Sequence, residues 1–139
     1  MTKHLLLIED DEVAAYVTLN VLKACGFINV VDLVRDGVEA MAYLTCQGIY
    51  SDRKSGNPAL ILLDLKLPDL DGFEVLKQIR TLPALFAIPV FILSASETAE
   101  DMYRSNLLGI SKYLVKPLNM DEFGAEASKV LSSTPPQLH

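Results

Sequence analysis

The segment Leu60-Ile61-Leu62-Leu63-Asp64-Leu65-Lys66-Leu67-Pro68-Asp69-Leu70-Asp71-Gly72 joins an apolar run to a helix start across one short turn. Consecutive aliphatic residues without alternation read as a strand buried on both faces, as in a parallel sheet covered by helices. Asp71, three residues ahead of Glu74, forms a capping-box pattern that opens the next helix. Between the two, Asp64 sits at the mouth of the strand. Desolvating an ionised carboxylate there is costly unless a cation, a proton or a covalent modification compensates it. The position therefore asks for a chemical explanation.

Outward from this segment, short apolar runs alternate with stretches of helical period, the pattern of βαβ units around a buried parallel sheet. Five rounds fit, with strands expected at residues 4–8, 30–34, 59–63, 89–93 and 112–115. In the first helix Val13, Tyr16, Val17, Val21 and Ala24 share an apolar stripe, and Gly26 is placed to end it. Asp36 with Glu39 and Asn119 with Glu122 repeat the capping pattern. The fourth helix, from about Thr98 to Leu108, is the least amphipathic, as expected if both of its faces are used. The connection over residues 46–58 is longer than usual for such units and reads as a mobile surface loop or a partner contact.

A chain of 139 residues, 50% hydrophobic and 22% charged, has the composition of one compact domain. Residues 1–132 are assigned to it, and 133–139 form a tail whose prolines stop any helix. No apolar stretch approaches the roughly 18 residues of a membrane span, and no signal-peptide pattern precedes the first strand, so the expected location is the cytoplasm. A net charge of -6 without a basic cluster argues against direct nucleic-acid binding and points to a protein partner. Cys25 and Cys46 lack metal-ligand spacing and read as small core residues in a reducing compartment.

Glu9-Asp10-Asp11 closes the first expected strand, Asp64 the third, Ser94 the fourth and Lys116 the fifth. Ligands of open parallel sheets bind outside the carboxyl ends of the strands, so these residues gather at one edge. Carboxylates packed together repel unless a divalent cation lies between them, and Mg2+ suits hard oxygen ligands. With metal bound, Asp64 is a nucleophile toward a phosphoryl donor, Lys116 neutralises charge on the transferring oxygens, and Ser94 donates a hydrogen bond to the product.

With these residues in place, the chain strongly resembles the receiver domain of two-component response regulators from about Lys3 to Leu131. The motifs are Leu7-Ile8-Glu9-Asp10-Asp11, Leu62-Leu63-Asp64-Leu65-Lys66-Leu67-Pro68 with Asp71-Gly72, Ile92-Leu93-Ser94-Ala95, and Tyr113-Leu114-Val115-Lys116-Pro117. The resemblance implies an α/β, flavodoxin-like (βα)5 doubly wound parallel sheet of strand order 2-1-3-4-5. It implies Asp64 as the phosphoacceptor, served by a histidine kinase, and a phosphoprotein that is not an enzyme in the ordinary sense. By the same resemblance Glu9, Asp10, Asp64 and the Lys66 main-chain carbonyl hold Mg2+, Ser94 and Tyr113 form a switch pair, and Lys116 is the catalytic lysine before a cis Lys116-Pro117 bond. Asp11 is the extra acid.

The long loop, with Tyr43-Leu44 ahead of Gly48-Ile49-Tyr50-Ser51-Asp52-Arg53, is more narrowly similar to small stand-alone receivers associated with phytochrome-type kinases. Leu108 before Gly109 is bulkier than the alanine common there. Output is expected through the face of the fourth helix, fifth strand and fifth helix, where Met102, Tyr103 and Leu107 are candidates for self-association or kinase contact.

Three other readings share parts of the pattern. An aspartyl-phosphate phosphatase generally has Asp-x-Asp at its nucleophile, where this chain has Asp64-Leu65-Lys66. A flavin module of similar topology needs hydroxyls and amides after the first strand, where Glu9-Asp10-Asp11-Glu12 repels phosphate. A receiver-like module that binds partners without phosphorylation has no need of the intact Asp64 set.

Overall fold

A computed structural model describes residues 3–26 and 30–131. The tail assigned to 133–139 lies outside the described residues. The elements run β1 (His4–Ile8), α1 (Glu12–Cys25), β2 (Val30–Val34), α2 (Gly37–Thr45), a short 3-10 turn (Gly48–Tyr50), β3 (Leu60–Leu63), α3 (Gly72–Thr81), β4 (Val90–Ser94), α4 (Ala99–Leu107), β5 (Lys112–Val115) and α5 (Met120–Leu131). Among the described residues the strands form one parallel sheet in the order β2-β1-β3-β4-β5. The chain thus reverses its direction of winding after β2, and a crevice is left between the ends of β1 and β3.

Alternation along the strands splits the core into two layers. Leu6, Ile8, Ile61, Leu63, Val90 and Ile92 pack with Ala40 and Leu44 of α2 and Val75, Leu76 and Ile79 of α3. Leu5, Leu7, Leu60, Leu62, Phe91 and Leu93 point the other way, against Leu22 of α1 and Phe123 and Ala127 of α5. Phe91 and Phe123 meet edge to face with ring centroids 6.1 Å apart. Each such side chain gains about 1.5–3 kcal/mol on burial, which holds the central strands against the charges at their ends.

The helix starts follow the capping patterns. The Glu39 amide donates to the Asp36 carboxylate at 2.7 Å, the Phe73 amide to Asp71 at 2.9 Å, and the Glu122 amide to Asn119 at 2.9 Å. Gly26 closes α1 at φ 72°, a left-handed conformation that glycine adopts without a Cβ penalty. The expected strands at 59–63 and 89–93 each shed their first residue, and β4 runs on to include Ser94. Of α4, Ser105 is the buried residue, and contrary to expectation this helix is more sharply amphipathic than α1 or α2, because its buried side is narrow and the rest of it is polar.

Two further expectations are corrected. Most of the apolar stripe expected for α1 faces solvent: Val13 is 71% exposed and Tyr16 68%, Val21 packs half-buried on the core, and Ala15, Thr18 and Leu22 are the buried residues. Small side chains at Ala15 and Thr18 let the helix lie close to the sheet, so closeness of approach and not side-chain size set its rotation. Cys46 is exposed, not a core residue, because it holds the left-handed position (φ 56°) that ends α2; Cys25 is half-buried.

The long connection is tied down. Arg53 lies over the Tyr43 ring at 4.1 Å and donates from Nε to the Tyr43 carbonyl at 2.9 Å and from Nη1 to the Gly56 carbonyl at 2.5 Å. The Tyr50 hydroxyl donates to Glu39 at 2.6 Å, and the Tyr43 hydroxyl donates to Asp32 on edge strand β2.

Candidate functional site

Sheet pairing carries straight into the site. The Glu9 amide donates to the Val34 carbonyl at 3.0 Å, the Asp64 amide to the Ile8 carbonyl at 3.0 Å, and the Lys116 amide to the Ser94 carbonyl at 2.8 Å. The backbone of each functional residue is thus held by the strand beside it, and loop motion does not set their spacing. The Lys116-Pro117 bond is cis, as the resemblance implied.

Glu9, Asp10 and Asp64 bring ligand oxygens within 4.8 Å of one another. Glu9 is fully buried, Asp64 is buried, and Asp10 is exposed at the rim. Lys116 Nζ reaches in from the end of β5, 2.5 Å from Glu9 Oε1 and 3.1 Å from Asp64 Oδ2. The Lys66 amide donates to Asp64 Oδ1 at 3.0 Å, so both Asp64 oxygens have partners. Burial, reinforced by the shared hydrogen bond with Asp64, pushes the Glu9 carboxyl up to about 7 despite the Lys116 ammonium. Burial alone would pull Lys116 down, but Glu9 and Asp64 outweigh it and hold the ammonium above its ordinary value.

This donor set suits a hard divalent cation. It offers carboxylate oxygens without sulfur or imidazole, one of them desolvated enough to resist ionisation, beside Asp10, an acid exposed to solvent. Asp11 is not part of it: its carboxylate caps α1, accepting from the Ala14 amide at 3.2 Å.

Beyond the carboxylates, the buried Ser94 hydroxyl accepts from the Ser96 amide at 3.2 Å, and the Tyr113 hydroxyl donates to the Ser96 carbonyl at 2.6 Å. Ser96 therefore joins the two residues read as a switch pair. The sequence reading passed over it, although Ser94-Ala95-Ser96 at the end of a strand was a turn signal. A cavity of about 450 Å³ opens beside Ser94, bordered by Lys66, Phe73 and Arg104, with the Arg104 guanidinium 3.8 Å from the Phe73 ring centre.

At Gly72 an added Cβ would lie 2.5 Å from Leu65 Cα and 2.7 Å from the Asp64 carbonyl oxygen. Only glycine lets α3 start this close to the Asp64 backbone.

A family model described as the response regulator receiver domain matches residues 5–128. The chain is 40% identical over 120 residues to response regulator Rcp1 of Synechocystis sp. (strain PCC 6803), covering 86% of this chain and 80% of that protein. The crystal structure of the Mn2+-bound form of Rcp1 superposes with a TM-score of 0.76 at 36% identity, over 99% of this chain and 97% of the other. The bacteriophytochrome response regulator RtBRR gives a TM-score of 0.86 at 41% identity, over 100% and 83% of the two chains. The phosphorylated cyanobacterial phytochrome response regulator RcpA gives 0.83 at 36% identity, over 96% and 97%. No helix among the described residues is long and apolar enough to cross a membrane.

Proposed function

We propose, for a chain that belongs to the response regulator receiver family, that Asp64 accepts the phosphoryl group of a partner histidine kinase and that the acyl phosphate drives a switch through Ser94 and Tyr113. The protein is a response regulator of two-component signalling, not a turnover enzyme. The observation that carries the site assignment is the meeting of two buried carboxylates, Glu9 and Asp64, with the Lys116 ammonium, from the ends of three separate strands.

An Asp64 carboxylate oxygen attacks phosphorus as the phosphorus–nitrogen bond of the donor phosphohistidine breaks, the bonding pair returning to the imidazole. Lys116, already 3.1 Å from Asp64, neutralises charge that builds on the phosphoryl oxygens. The metal in this reading is Mg2+, held by Glu9, Asp10, Asp64 and the Lys66 main-chain carbonyl; when bound it offsets repulsion between the carboxylates and the incoming phosphoryl group. The Ser94 hydroxyl has a proton to donate to the acyl phosphate, and its release from Ser96 is passed on to Tyr113, which holds the same residue. The shift then reaches the exposed Met102, Tyr103 and Leu107 of α4.

The kinase in this reading is of the phytochrome type, and the protein acts in the cytoplasm as a stand-alone receiver over residues 1–132. The support is the set of relatives matched over most of their own length, two of them phytochrome regulators by description. Intact-mass measurement after incubation with Mg2+ and acetyl phosphate tests the chemistry. One base-labile phosphoryl adduct is expected, and its undiminished appearance on Asp64→Asn would reject Asp64 as acceptor.

A further inference from the structure

The loop that follows Asp64 is closed at its neck, where the Gly72 amide donates to the Leu65 carbonyl at 3.0 Å. Its far end crosses to a different helix. The Asp69 carboxylate accepts the Gly37 amide on Oδ1 at 2.8 Å and the Val38 amide on Oδ2 at 2.9 Å. It also takes the Leu70 amide at 2.6 Å. The Gly37 and Val38 amides are the first of α2 and have no partner within the helix. Although desolvation acts the other way, the Val38, Gly37 and Leu70 amides hold the Asp69 carboxyl below the usual carboxylate range.

Helix α2 already has its local cap, since Asp36 accepts the Glu39 amide. A second carboxylate from 32 positions away is more than starting a helix requires. The approach is also close: a Cβ on Gly37 would lie 2.7 Å from Leu70 Cβ and 2.9 Å from Val75 Cγ2, so glycine is what admits the loop. Closed at one end and clamped at the other, the loop carries Lys66, whose amide holds Asp64 Oδ1.

We propose that Asp69 is a positioning residue for phosphoryl transfer, clamping the β3–α3 loop to the start of α2 so that the Lys66 main chain is held in place against Asp64 and the cation. The inference rests on the metal reading above. It makes α2, which contributes no ligand, part of the support of the site, and supporting partners of this kind are worth roughly 10–100-fold in metal affinity.

The test is calorimetric titration with Mg2+ of the unmodified protein, Asp69→Ala, Asp69→Asn and Asp36→Ala, with thermal unfolding of each. Asp69 is exposed, so its variants fold. Asp69→Ala is expected to raise the Mg2+ dissociation constant about tenfold. Asp69→Asn, which keeps one acceptor oxygen without the charge, falls between. Asp36→Ala also removes a cap from α2 but leaves affinity unchanged. The Lys66 amide resonance should move in Asp69→Ala and stay in Asp36→Ala. Unaltered affinity in Asp69→Ala, or an equal loss in Asp36→Ala, overturns the proposal while leaving the metal reading intact. Failure of the unmodified protein to bind Mg2+ overturns the metal reading and this inference with it.

Discussion

Without metal, the stability of this protein should fall as pH rises from 5 to 8, opposite to the behaviour of most paired carboxylates, and Glu9 is the cause. Its carboxyl is pushed up from an ordinary 4.5 to about 7, first by burial and next by the hydrogen bond it shares with Asp64. A group whose folded value lies above its unfolded value stabilises fully below the unfolded value, and that contribution is lost as pH climbs through the folded one. The window is therefore from about 4.5 to about 7. At 1.36 kcal/mol per unit, the gap amounts to about 3 kcal/mol, or roughly 10 °C in midpoint for a domain of this size. No neighbour masks it. Asp69, held low, contributes stability that is lost only in more acid solution, and Lys116, held high, loses its contribution only above its ordinary 10.5.

Urea unfolding in EDTA, followed by circular dichroism at pH 5, 6, 7 and 8, measures this directly. Glu9→Gln keeps the shape and removes the titration, so its stability should be flat across the window and above that of the unmodified protein at pH 8. Saturating Mg2+ should reverse the trend, because the ion binds the ionised carboxylates. A flat profile for the unmodified protein in EDTA, or the same slope in Glu9→Gln, would refute the reasoning.

Asp10→Asn should lose Mg2+ affinity and phosphorylation yet fold as stably as the unmodified protein or better in EDTA, since it relieves repulsion in the acidic cluster; unchanged affinity in a titration removes Asp10 from the ligand set. Arg80→Met should cost about 2–4 kcal/mol in urea unfolding, because the guanidinium donates to the carbonyls of Phe86, Ile88, Leu108 and Gly109 at 2.9–3.0 Å; Arg80→Lys should not restore it, as one ammonium does not span four acceptors. Beryllofluoride should shift the amides of Ser94, Ser96 and α4, and Ser94→Ala should suppress the α4 part; an undiminished α4 response in that variant removes Ser94 from the route.

What was legible in the sequence was what local chemistry decides. β1 and β3 are buried on both faces, so their apolar runs were unbroken, and each polar residue ending such a run marked the same edge of the sheet. The caps at Asp36, Asp71 and Asn119 act over two or three residues and could be read directly. The rotation of α1 could not, because both its exposed stripe and its buried one are apolar enough to pack, and contact with the sheet chose Ala15, Thr18 and Leu22. Nor could the clamp at Asp69, whose partners are remote in sequence, or Ser96, which acts through its backbone. Backbone acceptors and donors carry no residue signature, and a local pattern cannot reveal them.

Lys116, in the proposed reading, matters to more than phosphoryl transfer. Three carboxylates beside one ammonium leave two negative charges, which a divalent cation balances. Without a cation, Lys116 is the positive charge bound to Glu9 and Asp64 together, and protonation of Glu9 relieves one of the two remaining negative charges. A phosphoryl group on Asp64 would add negative charge to a site that a bound divalent cation would have brought to balance. A further hydroxyl donor at this end of the sheet is Ser94, whose oxygen accepts from the Ser96 amide. Turning that proton toward an acyl phosphate would disturb Ser96, and with it the carbonyl that anchors Tyr113. In the proposed reading, output is the electrostatic consequence of adding a charged group to a balanced site, delivered through one backbone residue shared by two side chains.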